Sequence, residues 1–542
     1  MEQNSPSETH SILIVGGGPV GLAAAIEFAN HGIKTVLLEA SENIVRESKA
    51  ICWSQRTLEI LDRSGTAASM LCKGAVWKTG RVFRGEKELY NFNLQEELGY
   101  KMPAFINLQQ YYAEEFLEKK IINLNLTDLR RGHTVTDISI TEDDRALVTV
   151  QYRGGNYCIG ADYVLAADGV RSSIRSILDL EMKGQYFDEK FLITDVRVDG
   201  DFPLERRFWF EPSFHKGQSA LLHVQPDNIL RIDLQLGPKA NQEEEQSEER
   251  VRARIQKILG SGIEFKIEWI SIYSFSCKKL ERFTHGPIFF VGDSAHVVSP
   301  FGARGANGGI QDIDNLIWKI SLVIDGKAPL ALLNSFDEER VPAAKENLLN
   351  SARSTDFMTP KTQASRDFRD AVFSLAQTMP FARSFINSGR LSTPFNYVGS
   401  SICFEDDFLF NDDGIVPGAA AVDAPVFCDE EETWLLENIG GAFCLIAFTK
   451  DISTLKLATD IIRKTQSNFE MLVKSVFVIS SRTDIKYSGK VLEDRAGYAF
   501  RRWAADNGTI YLVRPDQHIA ARWLRLPDAD RVSQAFKQSI GY

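Results

Sequence analysis

The sequence predicts an α/β fold in three parts: a Rossmann-like, doubly wound dinucleotide-binding domain, an inserted and mostly antiparallel β-sheet domain, and a further α/β domain in the C-terminal part. Three observations predict it. The N-terminal segment runs apolar strand, glycine turn, alanine-rich helix, second apolar strand. Residues Tyr186–Phe275 change to short strands alternating with turn residues. A strand, Gly-Asp, loop and helix unit then returns at Gly286–Lys319, far from the first glycines.

Ser11–Val15 reads as a buried parallel strand, Pro19–Asn30 as a helix closed by His31-Gly32, and Lys34–Leu38 as a second strand. Between the first strand and the helix lies Gly16-Gly17-Gly18-Pro19-Val20-Gly21, a GxGxxG match in the context the motif requires. Gly16 permits the tight turn, Gly18 lets backbone approach a pyrophosphate, and Gly21 lets helix and strand pack closely. Pro19 opens the helix. Glu39 ends the second strand, where its carboxylate is placed to accept both hydroxyls of an adenosine ribose and to repel a 2′-phosphate. FAD and NAD both answer this description.

Farther along, Tyr163–Arg175 reads YVLAADGVRSSIR, an apolar strand ending in Ala167-Asp168-Gly169. The spacing leaves two readings open: Asp168 as a carboxylate on the ligand path with Gly169 allowing close approach, or a plain turn before a solvated basic helix. Gln110 falls on a helix that also carries Glu114 and Leu117 on one face, which by itself describes a surface residue. The Gly286–Lys319 segment, GPIFFVGDSAHVVSPFGARGANGGIQDIDNLIWK, begins with the strand Ile288–Val291. Its Pro- and Gly-punctuated loop feeds a helix beginning near Gly305, presenting N–H donors and the Asp293 carboxylate to an extended polar ligand.

Composition excludes several classes. With 542 residues, 44% hydrophobic and 25% charged, the chain is that of an ordinary globular protein of about three domains. A net charge of −11 without a Lys/Arg block speaks against nucleic acid as partner. The polar start MEQNSPSETH does not read as a secretory signal, and no apolar run approaches a membrane span, so no membrane partner is expected. The seven scattered cysteines contain no CxxC pair, which predicts neither a structural metal nor a disulfide framework and fits a reducing cytoplasm.

In their order along the chain, GGGPVG with Glu39, ADGVRSSIR and GDSAHVVSPFGARGAN resemble the class A flavin-dependent aromatic hydroxylases, the para-hydroxybenzoate and phenol hydroxylase group. SKAICWSQRTLEIL at Ser48–Leu61 is similar to the family segment after the second strand, although Lys49 stands where Arg is usual and so keeps the charge while losing a fork of donors. The resemblance implies FAD as cofactor, NADPH or NADH as transient donor, O2 and a small aromatic substrate, with oxygen passed on through a flavin hydroperoxide. It implies that Gly16, Gly18, Pro19 and Gly21 hold the pyrophosphate and Glu39 the ribose. Arg46, Lys49 and Gln110 then serve the phosphate–ribityl region, Asp293 a ribityl hydroxyl, and Asp168-Gly169 both FAD and the pyridine nucleotide. Pro300 lies beside the reactive face, and Gly302 through Gly305, Ala306 and Asn307 supply backbone donors to the pyrimidine edge. Pro300 and Gly302 thus mark the catalytic loop without a side-chain acid or base. His296 is read as structural, bonding backbone around that loop.

The same resemblance makes the inner face of the antiparallel sheet the roof of an aromatic pocket, with Trp209, His223 and Arg231 as substrate candidates beside the alternative of ordinary sheet packing. Strands are expected at Phe208–Glu211, Ala220–Val224 and Leu230–Leu236, and Asn241–Leu259 is expected to be one solvated, charge-rich helix. After the helical stretch Phe336–Arg383 and the loop Asp412–Asp423, the strand–helix–strand pattern from Gly441, with Ile452–Lys464, Leu472–Ile479 and Gly508–Val513, resembles the thioredoxin-like domain of phenol-hydroxylase-type members. Lacking CxxC, it is expected to be structural or to make subunit contacts, as in a homodimer. The implied division is residues 1–180 and 284–400 for FAD, 181–283 for substrate, and 401–542 for the thioredoxin-like domain. Two other outcomes stay open on this scaffold: epoxidation or Baeyer–Villiger oxidation of a polyketide-like substrate, and a flavin-binding protein without turnover.

Overall fold

The computed structural model describes residues 6–542 apart from 48, 95–96, 201, 261, 388–391, 411–412, 470–472 and 481–489. Ser48, Leu472 and Asp412, which begin three of the segments anticipated above, lie outside the described residues. The chain forms two compact units: Met1–Glu96 with Pro103–Ile313 and Ala344–Thr393, and Glu97–Met102 with Asp314–Ala343 and Pro394–Tyr542.

The first unit is organised by two sheets. In one, Ile288–Phe290, Gly155–Ala166, Glu8–Val15, Thr35–Glu39 and Thr127–Arg131 run parallel in that order. Ile12, Leu13 and Ile14 are fully buried in succession, the signature of a strand covered on both faces. Registers align the strand ends: Val15 opposes Ala166 and Leu38, and Ala166 opposes Phe290. The segments leaving these ends, at Gly16, Asp168, Asp293 and Glu39, therefore emerge on one edge of the sheet. That edge is where open α/β sheets bind ligands.

The second sheet has eight strands in the order His296–Val297, Phe265–Lys279, Lys183–Val198, Ile229–Gln235, Ser219–Gln225, Glu205–Phe210, Thr79–Arg84 and Lys87–Asn93. Every pairing is antiparallel except that of Glu205–Phe210 with Thr79–Arg84. The hairpin Thr79–Asn93, from well before the expected sheet segment, thus completes the sheet. Along these strands Ala220, Leu222, Val224, Leu230, Ile232 and Leu234 form one apolar face, against which Val251, Ile255 and Leu259 pack. The anticipated single helix Asn241–Leu259 is instead two, Gln242–Glu245 and Glu248–Leu259, because Ser247 adopts extended backbone at φ −60°, ψ 131°. Nor is its charge run wholly solvated: Glu245 is buried and paired with Arg250 and Arg254.

The second unit carries a seven-stranded sheet that ends in the order Val473–Ile479, Phe443–Thr449, Thr509–Val513 and, at the edge, Ile519–Trp523. Phe443–Thr449 runs parallel to Val473–Ile479 and antiparallel to Thr509–Val513, and Ile519–Trp523 is antiparallel again. Helices Ile452–Asn468 and Ala529–Ser539 cover one face through Leu455, Ala458, Ile462, Val532 and Phe536. Beneath this core, the buried Glu339 carboxylate accepts hydrogen bonds from Arg514 at 2.5 and 2.9 Å and from Lys319 at 2.8 Å. Among the described residues, no helix is long and apolar enough to cross a membrane.

Candidate active site

A cavity of about 910 Å³ lies within the first unit and joins the ligand edge of the parallel sheet to one face of the antiparallel sheet. Gly16, Gly17 and Gly18 line it, and the N-terminal glycines differ in their steric reasons. Gly16 has φ +110°, and a Cβ there would sit 2.3 Å from the Ala167 carbonyl oxygen. A Cβ on Gly21 would lie 1.9 Å from the Gly16 oxygen, so helix Pro19–Asn30 packs on the turn only without a side chain. Gly18 faces open space at the start of the helix, leaving backbone N–H groups accessible to an anion. Glu39 accepts from Gly17 N at 2.6 Å and Ser41 N at 2.7 Å, which fixes its carboxylate on the cavity wall.

The strand Gly155–Ala166 delivers Asp168 to the same space, where Oδ2 accepts from Ile174 N at 3.2 Å and so caps the helix Ser173–Ile177. Its Oδ1 is buried with no hydrogen-bond partner among the described residues. Asp168 is thus a structural cap and also carries an unsatisfied acceptor beside a ligand-sized space. Gly169, at φ +76°, adds no bulk to the wall. Gln110 is not a surface residue. It opens the helix Gln110–Leu124, lines the cavity, accepts from Ala50 N at 3.2 Å and donates to Glu114 at 2.8 Å. Burial pushes the Glu114 carboxyl up.

In the segment Gly286–Lys319 the structure brings Asp293, Pro300, Gly305, Ala306 and Asn307 to the cavity wall. Asp293 opens onto the cavity, yet the protein packed around it lifts its carboxyl above the usual range, with Asp312 adding and His296 opposing. Gly302 (φ +108°) and Ala303 (φ +54°) turn the chain into helix Gly305–Ile324. The first intrahelical bond comes from Gly308 N to Arg304 O, so the N–H groups of Gly305, Ala306 and Asn307 have no acceptor within the helix. The Asn307 side chain is spent on the protein: its oxygen accepts from Ser54 N at 3.0 Å and its nitrogen donates to Cys52 O at 3.0 Å. His296, expected to bond loop backbone, bonds the Asp312 carboxylate instead, at 2.7 Å.

Across the cavity stand residues of the antiparallel sheet. His223 and Arg231, directly paired in register, both face it. Arg231 donates to Asp233 at 3.0 Å and to the Lys49 carbonyl at 2.5 Å. Burial and the neighbouring Arg206 cation push His223 down to about 4, against the pull of Asp233 3.7 Å away. Asp233 is held near 2 despite burial, by Arg231 and His223. Phe275 and Phe301 also line the cavity, with ring centroids 5.7 Å apart.

Four sequence candidates are not on the wall. Trp209 points to the opposite sheet face, stacked on Phe83 at 5.5 Å, because residue 209 is one step out of phase with 208 and 210. Arg46 is largely exposed, paired with Glu115 at 2.7 Å and lying over the Tyr111 ring. Gly21 and Gly302 act one layer back, through packing and turn geometry. Lys49 lines the cavity, while its ammonium pairs with Glu47 at 3.4 Å. Sequence reasoning missed Arg206, Asp233, Glu114 and Phe301. Asp233 and Glu114 carried a signal, since each shares a face with a residue already singled out, two along a strand or four along a helix.

Residues 9–351 match the family described as FAD binding domain. The 12-dehydrotetracycline 5-monooxygenase/anhydrotetracycline 6-monooxygenase of Streptomyces rimosus is 29% identical over 371 residues, 65% of this chain and 70% of that protein. The 3-(3-hydroxy-phenyl)propionate/3-hydroxycinnamic acid hydroxylase of Burkholderia cenocepacia is 25% identical over 404 residues, 73% of this chain and 72% of that one. The crystal structure of the flavin-dependent monooxygenase PieE in complex with FAD and substrate shares the fold, with a TM-score of 0.83 at 20% identity over 99% of this chain and 100% of that chain.

Proposed function

Since the chain belongs to the FAD binding domain family, we propose that it is an FAD-dependent monooxygenase that inserts one oxygen atom of O2 into an aromatic substrate at the expense of NADH or NADPH. One observation carries this reading: one cavity joins Gly16, Gly18, Glu39, Asp168, Asp293 and the start of helix Gly305–Ile324 to a partly aromatic, partly charged sheet face. The hydroxylase and monooxygenase activities named for the relatives support it.

When bound, FAD supplies the redox and oxygen chemistry, which no amino-acid side chain offers. The chain's own work is holding, orienting and drying. Gly16, Gly18 and Gly21 clear a path for a pyrophosphate, and Glu39 offers its carboxylate to a ribose. The unfilled Asp168 Oδ1 is an acceptor for a ligand hydroxyl or N–H, and Asp293 offers a second carboxylate from the neighbouring strand end. The free N–H groups of Gly305, Ala306 and Asn307, at the positive end of a 20-residue helix, suit a ligand edge that gains negative charge. Asn307 and His296 position this edge through Ser54 and Asp312. Phe275 and Phe301 keep water from the space between loop and sheet.

This reading takes residues 1–180 and 284–400 as the FAD-holding part and 181–283 as the core of the substrate roof. A thioredoxin-like arrangement of residues 401–542 is supported by the strand order, with a parallel pair joined by helix Ile452–Asn468 and followed by an antiparallel pair and a last helix. The test is purification without added flavin, followed by NADH and NADPH oxidation against phenols and aromatic acids, with peroxide quantified and product mass measured. A yellow protein whose oxidation is accelerated by substrate and yields a product heavier by one oxygen is expected. A colourless protein that takes up no FAD overturns the reading. Product connectivity separates ring hydroxylation from epoxidation or Baeyer–Villiger oxidation.

A further inference from the structure

We propose that Arg206 anchors an acidic oxygen of the substrate, a carboxylate or an ionised ring hydroxyl, on the sheet face of the cavity. The inference rests on the monooxygenase reading only in taking that face as the substrate's. The strand Glu205–Phe210 alternates: Glu205 and Arg207 bond one another at 2.7 Å, while Arg206 falls on the other face and lines the cavity. Arg207 opposes Leu222, so the next rung sets Arg206 beside His223, which in turn pairs with Arg231 and then, through the next strand, with Asp195. Two arginines therefore stand in one cross-strand row over the same space.

Their circumstances differ. Arg231 already has acceptors, Asp233 and the Lys49 carbonyl, with Asp195 opposite. Among the described residues, Arg206 has no hydrogen-bond acceptor and no ion-pair partner. The Trp77 ring lies 6.0 Å from its guanidinium carbon, and the Asp233 carboxylate acts on it only through space. Trp77 is itself buried and pinned by its Nε1–H to Asn107 at 3.0 Å, so it holds the guanidinium plane without satisfying its donors. Burial weighs against the charge of this group. A half-buried guanidinium with five unused donors is costly unless something meets them, and a carboxylate or aryl oxide meets them in its own geometry. His223, neutral beside it, does not compete for that anion.

The test measures binding to the FAD-loaded protein, without turnover, by calorimetric titration with four bicyclic probes: 2-naphthoate, 2-naphthol, and their neutral counterparts 2-naphthamide and 2-methoxynaphthalene. Arg206→Met should weaken at least one acidic probe by about tenfold to a hundredfold and leave both neutral probes within about twofold. Arg206→Lys, which keeps the charge and loses the fork, should fall between. Loss for naphthoate alone identifies a carboxylate as the anchored group; loss for naphthol alone identifies a ring hydroxyl. Equal losses for acidic and neutral probes, no loss in either variant, no binding of either acidic probe to the wild type, or loss of FAD from Arg206→Met with its fold intact by circular dichroism would each overturn the proposal. Failure of the monooxygenase reading shows differently, as a wild-type protein that takes up no FAD or that binds aromatic probes but turns none over.

Discussion

His296 Nε2 lies 2.7 Å from Asp312 Oδ2, and both side chains are almost wholly buried. The same carboxylate oxygen accepts from Gly292 N at 2.9 Å, immediately before Asp293. One acid on the helix Gly305–Ile324 thus fixes both ends of the turn that presents Asp293 to the cavity. In this contact Nε2 donates to the carboxylate, and the buried Nδ1 has no hydrogen-bond partner among the described residues.

Removing that acid should loosen the site before it unfolds the protein. Asp312→Ala strands two buried donors, each costing about 1–3 kcal/mol. FAD should bind about tenfold or more weakly, and Asp312→Asn, which can still accept, should lose less. Flavin fluorescence titration of the apoprotein measures both. Unchanged FAD affinity in Asp312→Ala would show that the turn holds without it.

Gly21→Ala should be more damaging than its single methyl suggests. The new Cβ would stand 1.9 Å from the Gly16 oxygen, so the helix must move off the strand or the turn must open. Overpacking of this kind costs about 1–3 kcal/mol, and here it displaces the N–H groups of the first helical turn. The flavin-to-protein absorbance ratio should fall severalfold. Gly18→Ala, whose Cβ meets nothing within the protein, is expected to fold normally and to lose FAD only through contact with the ligand itself.

The contrast between those two glycines shows what was legible in the chain. A glycine turn between strand and helix has one geometry, so the roles of Gly16, Gly18 and Gly21 follow from spacing alone. Asp293 and the helix start at Gly305 were readable for the same reason: they are local. The roof was not. Whether residue 206, 209 or 223 faces the cavity depends on strand phase, and a shift of one residue inverts the answer, as it does for Trp209. The hairpin Thr79–Asn93 joins its sheet through a parallel pairing with residues more than a hundred positions on, and no local pattern announces it. Arg46 fell on the other side of the same limit, since its partner Glu115 is distant in sequence.

In the second unit, Glu339 binds two buried cations at once, Lys319 and Arg514, and also accepts from Ser400 at 2.8 Å. Burial pulls the Lys319 ammonium down to about 8 and Glu339 holds it there against further loss. Glu339→Gln should therefore leave Lys319 neutral at pH 7 and Arg514 dependent on Asp516 alone. Breaking a buried pair from one side costs about 3–5 kcal/mol. The thermal midpoint should drop by about 10 °C. Glu281→Gln, which breaks an exposed pair with Lys183, serves as control and should leave it unchanged. Equal midpoints for the two variants would mean that the buried cluster is dispensable.

The cavity roof also predicts a pH dependence. His223 titrates near its ordinary 6.5 in the unfolded chain and near 4 in the fold, where burial comes first, the Arg206 cation adds, and Asp233 opposes. Between those values the unfolded state binds the extra proton and the folded state does not, so stability falls as the pH drops from about 6.5 to 4. Arg231 and Asp233, the other charged groups against the ring, keep their charges through this window, Asp233 protonating only near 2. The expected contribution approaches one proton, about 1.4 kcal/mol per pH unit in the middle of the window. His223→Gln cannot take that proton, so its denaturation midpoint should depend less steeply on pH between 6.5 and 4, with the two proteins' curves running parallel above pH 7. Urea denaturation at half-unit pH steps resolves this. Parallel curves throughout would mean that the folded histidine protonates near its ordinary value.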